Sequence, residues 1–325
     1  TPMARILITE QIDGAAVDQL SQNHEVLIEH RLWSDAEQLE ARSVDIDAII
    51  VRNQTQVTAD LIQSASHLKV IGRAGAGLDN IDCDAASKAN VVVCYTPSEN
   101  SLSVAELVMG YMLSLARDIP AAQQSTSKGN WERKRFTGSE LSGKTLGIIG
   151  FGRIGTLVAQ RANAFGMTVI AHDEFLTPDA PHLLENDVEL MGLSDLLSQS
   201  DFVSCHTPLT EDTRGFVNSD FLSQMKHNAY LINASRGEVI NESDLVVALE
   251  SEKLSGAALD VREVEPPIAG KLEEMTNVLL TPHIGAFTRE AQDRVIERVC
   301  HDVDAVLHGE PATSFFNFPL PNSQP

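Results

Sequence analysis

Three polar residues, Arg236, Glu265 and His283, stand at or just beyond the ends of short apolar runs: AYLINAS, GAALDV and NVLLTP respectively. Each type suits one task. An arginine is a permanent, planar cation that can hold a carboxylate through two parallel hydrogen bonds, which a lysine cannot do. A histidine titrates nearest neutrality and is the usual carrier of a proton to or from a hydroxyl. A carboxylate on its far ring nitrogen would fix the tautomer and stabilise the imidazolium. Singly, each has a plain alternative: a surface ion pair, a loop charge before Pro266-Pro267, a satisfied core histidine. Spaced by 29 and then 18 residues, one crossover unit could separate each from the next, so all three could share one sheet edge.

The elements that would position them surround a glycine motif. Gly150-Phe-Gly152-Arg-Ile-Gly155 follows the apolar run TLGIIG and opens the helical pattern VAQRANAF. In that context the first glycine permits a tight turn and the second lets backbone amides approach a pyrophosphate. The third lets helix and strand pack closely. Asp173 ends the next strand, 23 residues after Gly150, near the interval of about 20 at which an acid meets the adenosine ribose. Its carboxylate would repel a 2′-phosphate, so NAD is expected over NADP, and Glu174 strengthens the preference. A second cluster, Gly72-Arg73-Ala-Gly75-Ala76-Gly77, lacks a helical run immediately after it and reads as a substrate-facing or purely structural turn.

Around these motifs the chain alternates short β-branched runs with helical patterns. Runs near 4 to 9, 47 to 51, 68 to 72 and 91 to 95 form a first series. Those at 145 to 150, 168 to 172, 201 to 206, 229 to 233, 256 to 261 and 277 to 282 form a second. This rhythm predicts an α/β protein with two doubly wound parallel sheets of Rossmann or flavodoxin-like type. The spacing Ser103-Val-Ala-Glu106 predicts a capping box that starts a helix ending before Pro120. A long helix from about 289 to 308 has no sheet of its own and is expected to pack back on the first domain. The cofactor domain (99–286) would then be inserted in a discontinuous substrate domain (1–98 and 287–325).

Composition narrows the partners. Lys+Arg 24 against Asp+Glu 46 gives a net charge of −22, a field that repels phosphate backbones and anionic bilayers, so neither nucleic acid nor a membrane is expected. Cys83, Cys94, Cys205 and Cys300 lack metal spacing and fit small buried hydrophobes in a reduced, cytoplasmic chain, and no metal is expected. No charged segment followed by an apolar run precedes the first strand, so no signal peptide is expected, and Thr1-Pro2 reads as an addition ahead of Met3. An anionic substrate would need a local cluster of cations. Arg52 and Arg73 at strand ends of the first domain, with Arg133 and Arg135 in the basic segment KGNWERKRF, exceed what a monocarboxylate requires. They suggest a second anionic group, phosphate or sulfonate; the competing reading is that they balance surface acids.

These motifs together resemble the D-isomer-specific 2-hydroxyacid dehydrogenases, most closely their phosphoglycerate branch in a short form without a regulatory domain. The resemblance is carried by the glycine motif, HTPLTEDTRGFVN (206 to 218), NASRGEVI (233 to 240), GAALDVREVEP (256 to 266) and TPHIGAFTREAQ (281 to 292). It implies hydride transfer between NAD and a small anionic D-2-hydroxy acid. Arg236 would bind the substrate, His283 would act as acid and base, and Glu265 would orient it. It also implies that Arg153, Ile154, Thr207, Ala234, Asp260 and Gly285 line the NAD site, and that Asn53, Ala76, Gly77 and Asn100 face the substrate. The family resemblance further implies a homodimer built on the helix at 103 to 118. Two positions depart from the phosphoglycerate pattern. Arg52-Asn53-Gln54-Thr55 stands where Arg-Ser-x-Thr is usual, and Arg262 stands where an aromatic is common. The former would equally suit a sulfolactate-type enzyme, and hydroxypyruvate or glyoxylate reduction is a further alternative. Glu265 argues against the formate branch, which has glutamine there. A non-enzymatic, NAD(H)-sensing module of corepressor type is the alternative from a different class.

Overall fold

In the run AIIV (48 to 51) every side chain is buried, and successive residues feed opposite faces. Ala48 and Ile50 join one apolar cluster, Ile49 and Val51 another. A strand buried on both faces belongs in the middle of a parallel sheet. The computed structural model, which describes residues 3–321, bears this out. The chain divides into two units, 1–100 with 286–325, and 101–285. Thr1-Pro2 lies outside the described residues.

In the first unit, β1 (Arg5–Ile8), α1 (Ala15–Asn23), β2 (Glu25–Ile28), α2 (Ala36–Ser43), β3 (Ala48–Val51), α3 (Ala59–Ser64), β4 (Val70–Arg73), α4 (Cys83–Lys88) and β5 (Val92–Tyr95) follow in order. The five strands are parallel, in the order β2-β1-β3-β4-β5.

The second unit opens with α5 (Ser101–Arg117) and α6 (Ile119–Ser127). It continues through β6 (Thr145–Ile149), α7 (Arg153–Ala164), β7 (Thr168–His172), α8 (Pro181–Leu184), β8 (Glu189–Leu190), α9 (Leu193–Gln199), β9 (Phe202–Cys205) and α10 (Ser219–Gln224). It closes with β10 (Ala229–Asn233), α11 (Glu242–Glu250), β11 (Leu254–Leu259), α12 (Lys271–Glu274) and β12 (Val278–Leu280). Its sheet runs β12-β11-β10-β9-β6-β7-β8, all parallel, and the strand order reverses between β6 and β9. Open α/β sheets bind ligands beyond the carboxyl ends of the strands at such a reversal.

The last helix, α13 (Arg289–Leu307), is capped by Thr288, whose hydroxyl accepts from the Ala291 amide. Its Val295, Val299, Val303 and Val306 share an apolar cluster with Ile6, Ile8, Ile50 and Val70 of the five-stranded sheet.

Several local readings change. The edge strand β2 was not legible because its Glu25 and Ile28 are exposed and its pattern is weak. β8 has only two residues. The helix expected to start at Ser103 begins two residues earlier, and the Ser103 hydroxyl donates to the Gly285 carbonyl at 2.8 Å instead of capping. In α5, Val104, Ala105, Val108 and Met112 are buried in the cluster that contains Val158 and Ala159 of α7. Among the described residues no helix is long and apolar enough to cross a membrane.

Candidate active site

The glycine turn follows β6 and enters α7. Gly150 has φ 86°, which a residue with a Cβ rarely adopts, and an added Cβ would lie 2.9 Å from the His206 carbonyl carbon. A Cβ at Gly155 would lie 2.7 Å from the Gly150 oxygen, so helix and strand could not approach as they do. At Gly152 it would meet nothing within 4 Å. Gly152 is the N-cap of α7, with no side chain bonded to the helix amides, and Arg153 and Ile154 open the first turn. This leaves an amide-lined helix start fit for a pyrophosphate.

Asp173, just past β7, accepts from the Phe151 amide at 2.9 Å on one oxygen and from the Phe175 amide at 3.0 Å on the other. The carboxylate is thereby fixed beside the turn. Thr207 has a buried hydroxyl oxygen with no partner, and the neighbouring His206 has an unpartnered buried Nδ1. Both follow β9, next to Gly150. Ala234 lies beyond β10 and is buried.

The polar residues of the same sheet edge are joined by hydrogen bonds. His283 Nδ1 lies 2.8 Å from Glu265 Oε2. The Arg262 amide donates to Glu265 Oε1 at 3.1 Å, so both carboxylate oxygens are engaged. Burial raises the Glu265 pKa, but the His283 bond and charge, the Arg262 amide and the Arg236 charge outweigh it, and the carboxyl is held below its ordinary value. With Nδ1 turned to the carboxylate, Nε2 is the nitrogen left to meet a substrate. The Glu265-Pro266 peptide is cis.

His283 has φ 55°. A left-handed backbone costs a non-glycine residue on the order of 1 kcal/mol, and it persists where surrounding bonds impose it. The imposing group is Asp260, only 1% exposed. Its Oδ1 accepts from the Ile284 amide at 2.8 Å and from the Thr281 hydroxyl at 2.5 Å. Its Oδ2 accepts from the Gly285 amide at 2.7 Å. The Asp260 carbonyl receives the His283 amide at 2.8 Å. Tyr111 of α5 completes the cluster, bonded to Thr281 and at 3.4 Å to Asp260. Burial and the Asp260 charge push its phenol pKa up, so it stays a donor.

Arg236 follows β10 in an extended conformation, its Nη1 bonded to the Ser235 carbonyl at 2.8 Å. The buried Asn233 sets its backbone: Nδ2 donates to the Arg236 carbonyl at 2.8 Å, and Oδ1 accepts from the Ser235 amide and hydroxyl. Sequence reading missed Asn233, Tyr111 and Thr281 because their partners lie on other elements. Asn233 had one local signal, an amide side chain at a strand end where an Asx turn is favoured.

In the first unit, Arg52, Asn53, Arg73, Ala76 and Gly77 gather at the ends of the paired strands β3 and β4, and Asn100 follows β5. The loop at 52 to 55 is organised by Glu10, 2% exposed, whose carboxylate accepts from the amides of Arg52, Gln54 and Thr55 and from the Thr55 hydroxyl. Asn80 donates to the carbonyls of Arg52 and Thr55. Arg52 Nε donates to the Gln11 carbonyl at 2.9 Å, with its guanidinium 5.8 Å from the Phe287 ring centre, and Arg73 Nη1 donates to the Ala74 carbonyl. Arg135 of the basic segment pairs with Glu132.

Arg262 is held bidentately by Glu242, at 2.9 Å on both arms, and by Glu273. It ties the loop that carries Glu265 to the first turns of α11 and α12.

Residues 109–285 match the family model described as D-isomer specific 2-hydroxyacid dehydrogenase, NAD binding domain. D-3-phosphoglycerate dehydrogenase of Methanocaldococcus jannaschii is 43% identical over 318 residues, 98% of this chain and 60% of that protein. The chain spans only 56% to 60% of the length of such curated relatives. Among solved structures, the TT0316 protein from Thermus thermophilus is 33% identical with a TM-score of 0.90, covering 96% of this chain and 99% of that one. A glyoxylate reductase from Paecilomyes thermophila is 30% identical with a TM-score of 0.87, covering 97% and 98%.

Proposed function

The chain belongs to the D-isomer-specific 2-hydroxyacid dehydrogenase family, and from that membership we propose that it interconverts a D-2-hydroxy acid and its 2-oxo acid with NAD. The observation that carries this reading is the His283–Glu265 pair at 2.8 Å, on the sheet edge that also holds the glycine turn. When bound, NAD would supply the acceptor for the hydride that leaves C2. The chain supplies the rest. Arg236 grips the carboxylate, and His283 Nε2 takes the hydroxyl proton in oxidation and returns it in reduction. Glu265 keeps Nδ1 protonated and stabilises the imidazolium that forms. Gly150, Gly152 and Gly155 with Arg153, Ile154 and Thr207 would hold the pyrophosphate side, and Asp173 the ribose. Ala234, Asp260 and Gly285 would border the nicotinamide.

The first unit is assigned to substrate binding through Arg52, Asn53, Arg73, Ala76, Gly77 and Asn100. The substrate we put first is D-3-phosphoglycerate, on the names of the curated relatives and on the two arginines at the ends of β3 and β4. Glyoxylate or hydroxypyruvate stands second, favoured by the bonds Arg52 and Arg73 already make to main-chain carbonyls. The working form is proposed to be a homodimer in the cytoplasm.

A panel of 3-phosphoglycerate, sulfolactate, glycerate, hydroxypyruvate and glyoxylate with NAD(H) tests both levels. Turnover of a dianionic acid with kcat/KM well above that for glyoxylate is expected. Equal values would overturn the second-anion reading, and NADH binding without turnover of any acid would favour a sensing module.

A further inference from the structure

His24, Asp304 and His308 form a cluster in the first unit that the proposed reaction does not use. His24 is the C-cap of α1, Asp304 lies in the last turn of α13, and His308 is the C-cap of that helix. His24 Nε2 lies 2.8 Å from Asp304 Oδ1, and His308 Nδ1 lies 3.4 Å from the same oxygen. One nitrogen from each histidine and one carboxylate oxygen all fall within 4.8 Å of one another. A tetrahedral zinc site with bonds of about 2.0–2.2 Å places its ligand atoms about 3.3–3.6 Å apart, so the His308 separation already has that spacing and the His24–Asp304 contact would open by about half an ångström to admit an ion.

Three further observations point the same way. The His24 side chain is only 4% exposed, so its ring is held in place with Nε2 towards Asp304. A hydrogen-bonded pair needs only His24 and Asp304, yet a second imidazole stands one helical turn beyond the carboxylate, its ring centre 5.3 Å from that of His24. Asp304 and His308 are about one third exposed, so an ion and a water in the fourth position can enter from solvent.

We propose that His24, Asp304 and His308 form a binding site for a divalent transition metal of the zinc class, separate from the dehydrogenase machinery. Two imidazoles and one carboxylate suit Zn²⁺ and its neighbours Co²⁺, Ni²⁺ and Cu²⁺ rather than Mg²⁺ or Ca²⁺, which favour all-oxygen sites. His308 Nδ1 now contacts the Asp304 carbonyl at 2.9 Å and turns from it to the ion. The net charge of −22 raises the local concentration of any cation. The metal would cross-link α1 to α13, which lie 280 residues apart along the chain at the His24–Asp304 bond. An ion bound only to the folded form stabilises it by mass action.

The test uses full-length protein stripped with chelator and titrated with Zn²⁺ by calorimetry. Co²⁺ serves as the optical probe, through the visible absorption of its four-coordinate form. Wild type is expected to bind one Zn²⁺ at this site and to melt at a higher temperature with it. His308→Ala, an exposed change, is expected to bind at least tenfold more weakly, to lose the Co²⁺ bands and the melting shift, and to keep its turnover. Absence of binding to wild type, or equal binding by His308→Ala, overturns the proposal; the latter would place the ion on other histidines, His283 included.

Discussion

Both sheets use one device at their carboxyl ends, with different results. In the second unit the buried Asp260 collects two amides and two hydroxyls. In the first the buried Glu10 collects three amides and one hydroxyl. A carboxylate taken out of water is tolerable only when its lone pairs are met, and loop amides that leave a strand end need acceptors, so each satisfies the other. The difference lies in what the loop presents. Asp260 forces His283 into a left-handed turn that delivers an imidazole to Glu265. Glu10 holds a loop that delivers a guanidinium, and Arg52 stays bonded to the Gln11 carbonyl. On the proposed function the Asp260 edge would move a proton and the Glu10 edge would offer charge.

The largest effect separates the two outputs. His283→Ala is expected to lower kcat by roughly 10²–10⁴-fold with NADH affinity little changed, the range for losing a general acid or base. Arg52→Ala is expected to act on KM. A His283→Ala protein with wild-type turnover, or an Arg52→Ala protein with lost kcat and unchanged KM, would erase the distinction.

Next comes the device itself. Asp260→Asn and Glu10→Gln each replace one acceptor oxygen by a donor that faces amides already donating. Each is expected to cost about 3 kcal/mol, as lost charge-assisted bonds and buried unpaired donors do, measured by urea unfolding. At permissive temperature Asp260→Asn should lower kcat through the displaced His283 turn, whereas Glu10→Gln should raise KM. Identical kinetic signatures would show that the two carboxylates do not differ in function.

A smaller effect is expected from Arg262→Met. It leaves Glu242 and Glu273 without their cation, at a cost of about 2 kcal/mol, and loosens the amide that orders Glu265. The expected kinetic signature is a fall in kcat with NADH affinity unchanged. No counterpart to this ion cluster holds the 52 to 55 loop among the described residues, so an Arg262→Met enzyme with full activity would mean that the Glu265 loop needs no more support than its neighbour.

What the sequence disclosed and what it withheld follow the same division. The glycine turn and Asp173 were legible because spacing along one chain segment carries their geometry: strand, turn, helix, acid; the His283–Glu265 contact followed from two apolar runs ending on one sheet edge. Asp260 was legible only as a family residue, and its hold on the His283 turn was not, because donors from α5 and from the segment after β12 meet there. Glu10 gave no signal, since an acid after β1 looks like any loop charge until burial is known. Arg262 read as a departure from the phosphoglycerate pattern and is committed to two glutamates. The helix α5, placed at a dimer interface by the family resemblance, also buries Val104, Ala105, Val108 and Met112 within its own chain. Short local patterns encode elements, whereas the meeting of distant side chains appears only once the sheets are built.

The smallest expected effect concerns a second imidazole on the proton-moving edge. Burial pushes the His206 imidazole down to about 4, so it stays neutral in the folded protein. Its unfolded value is about 6.5. As pH falls below that value the unfolded chain takes up a proton that the folded chain refuses. His206 therefore contributes its full stability above about pH 6.5, loses it progressively between 6.5 and 4, and has none left below. Discounted for partial exposure, the loss is on the order of 2 kcal/mol. Other groups titrate over the same interval, so the informative quantity is a difference: wild type should lose that much more than His206→Gln when urea midpoints are compared at pH 7 and pH 4.5. His283, about 39% exposed, is bonded to a carboxylate, whereas the Nδ1 of His206 is buried with no partner. Parallel stability profiles for wild type and His206→Gln would show that His206 takes up protons in the folded state.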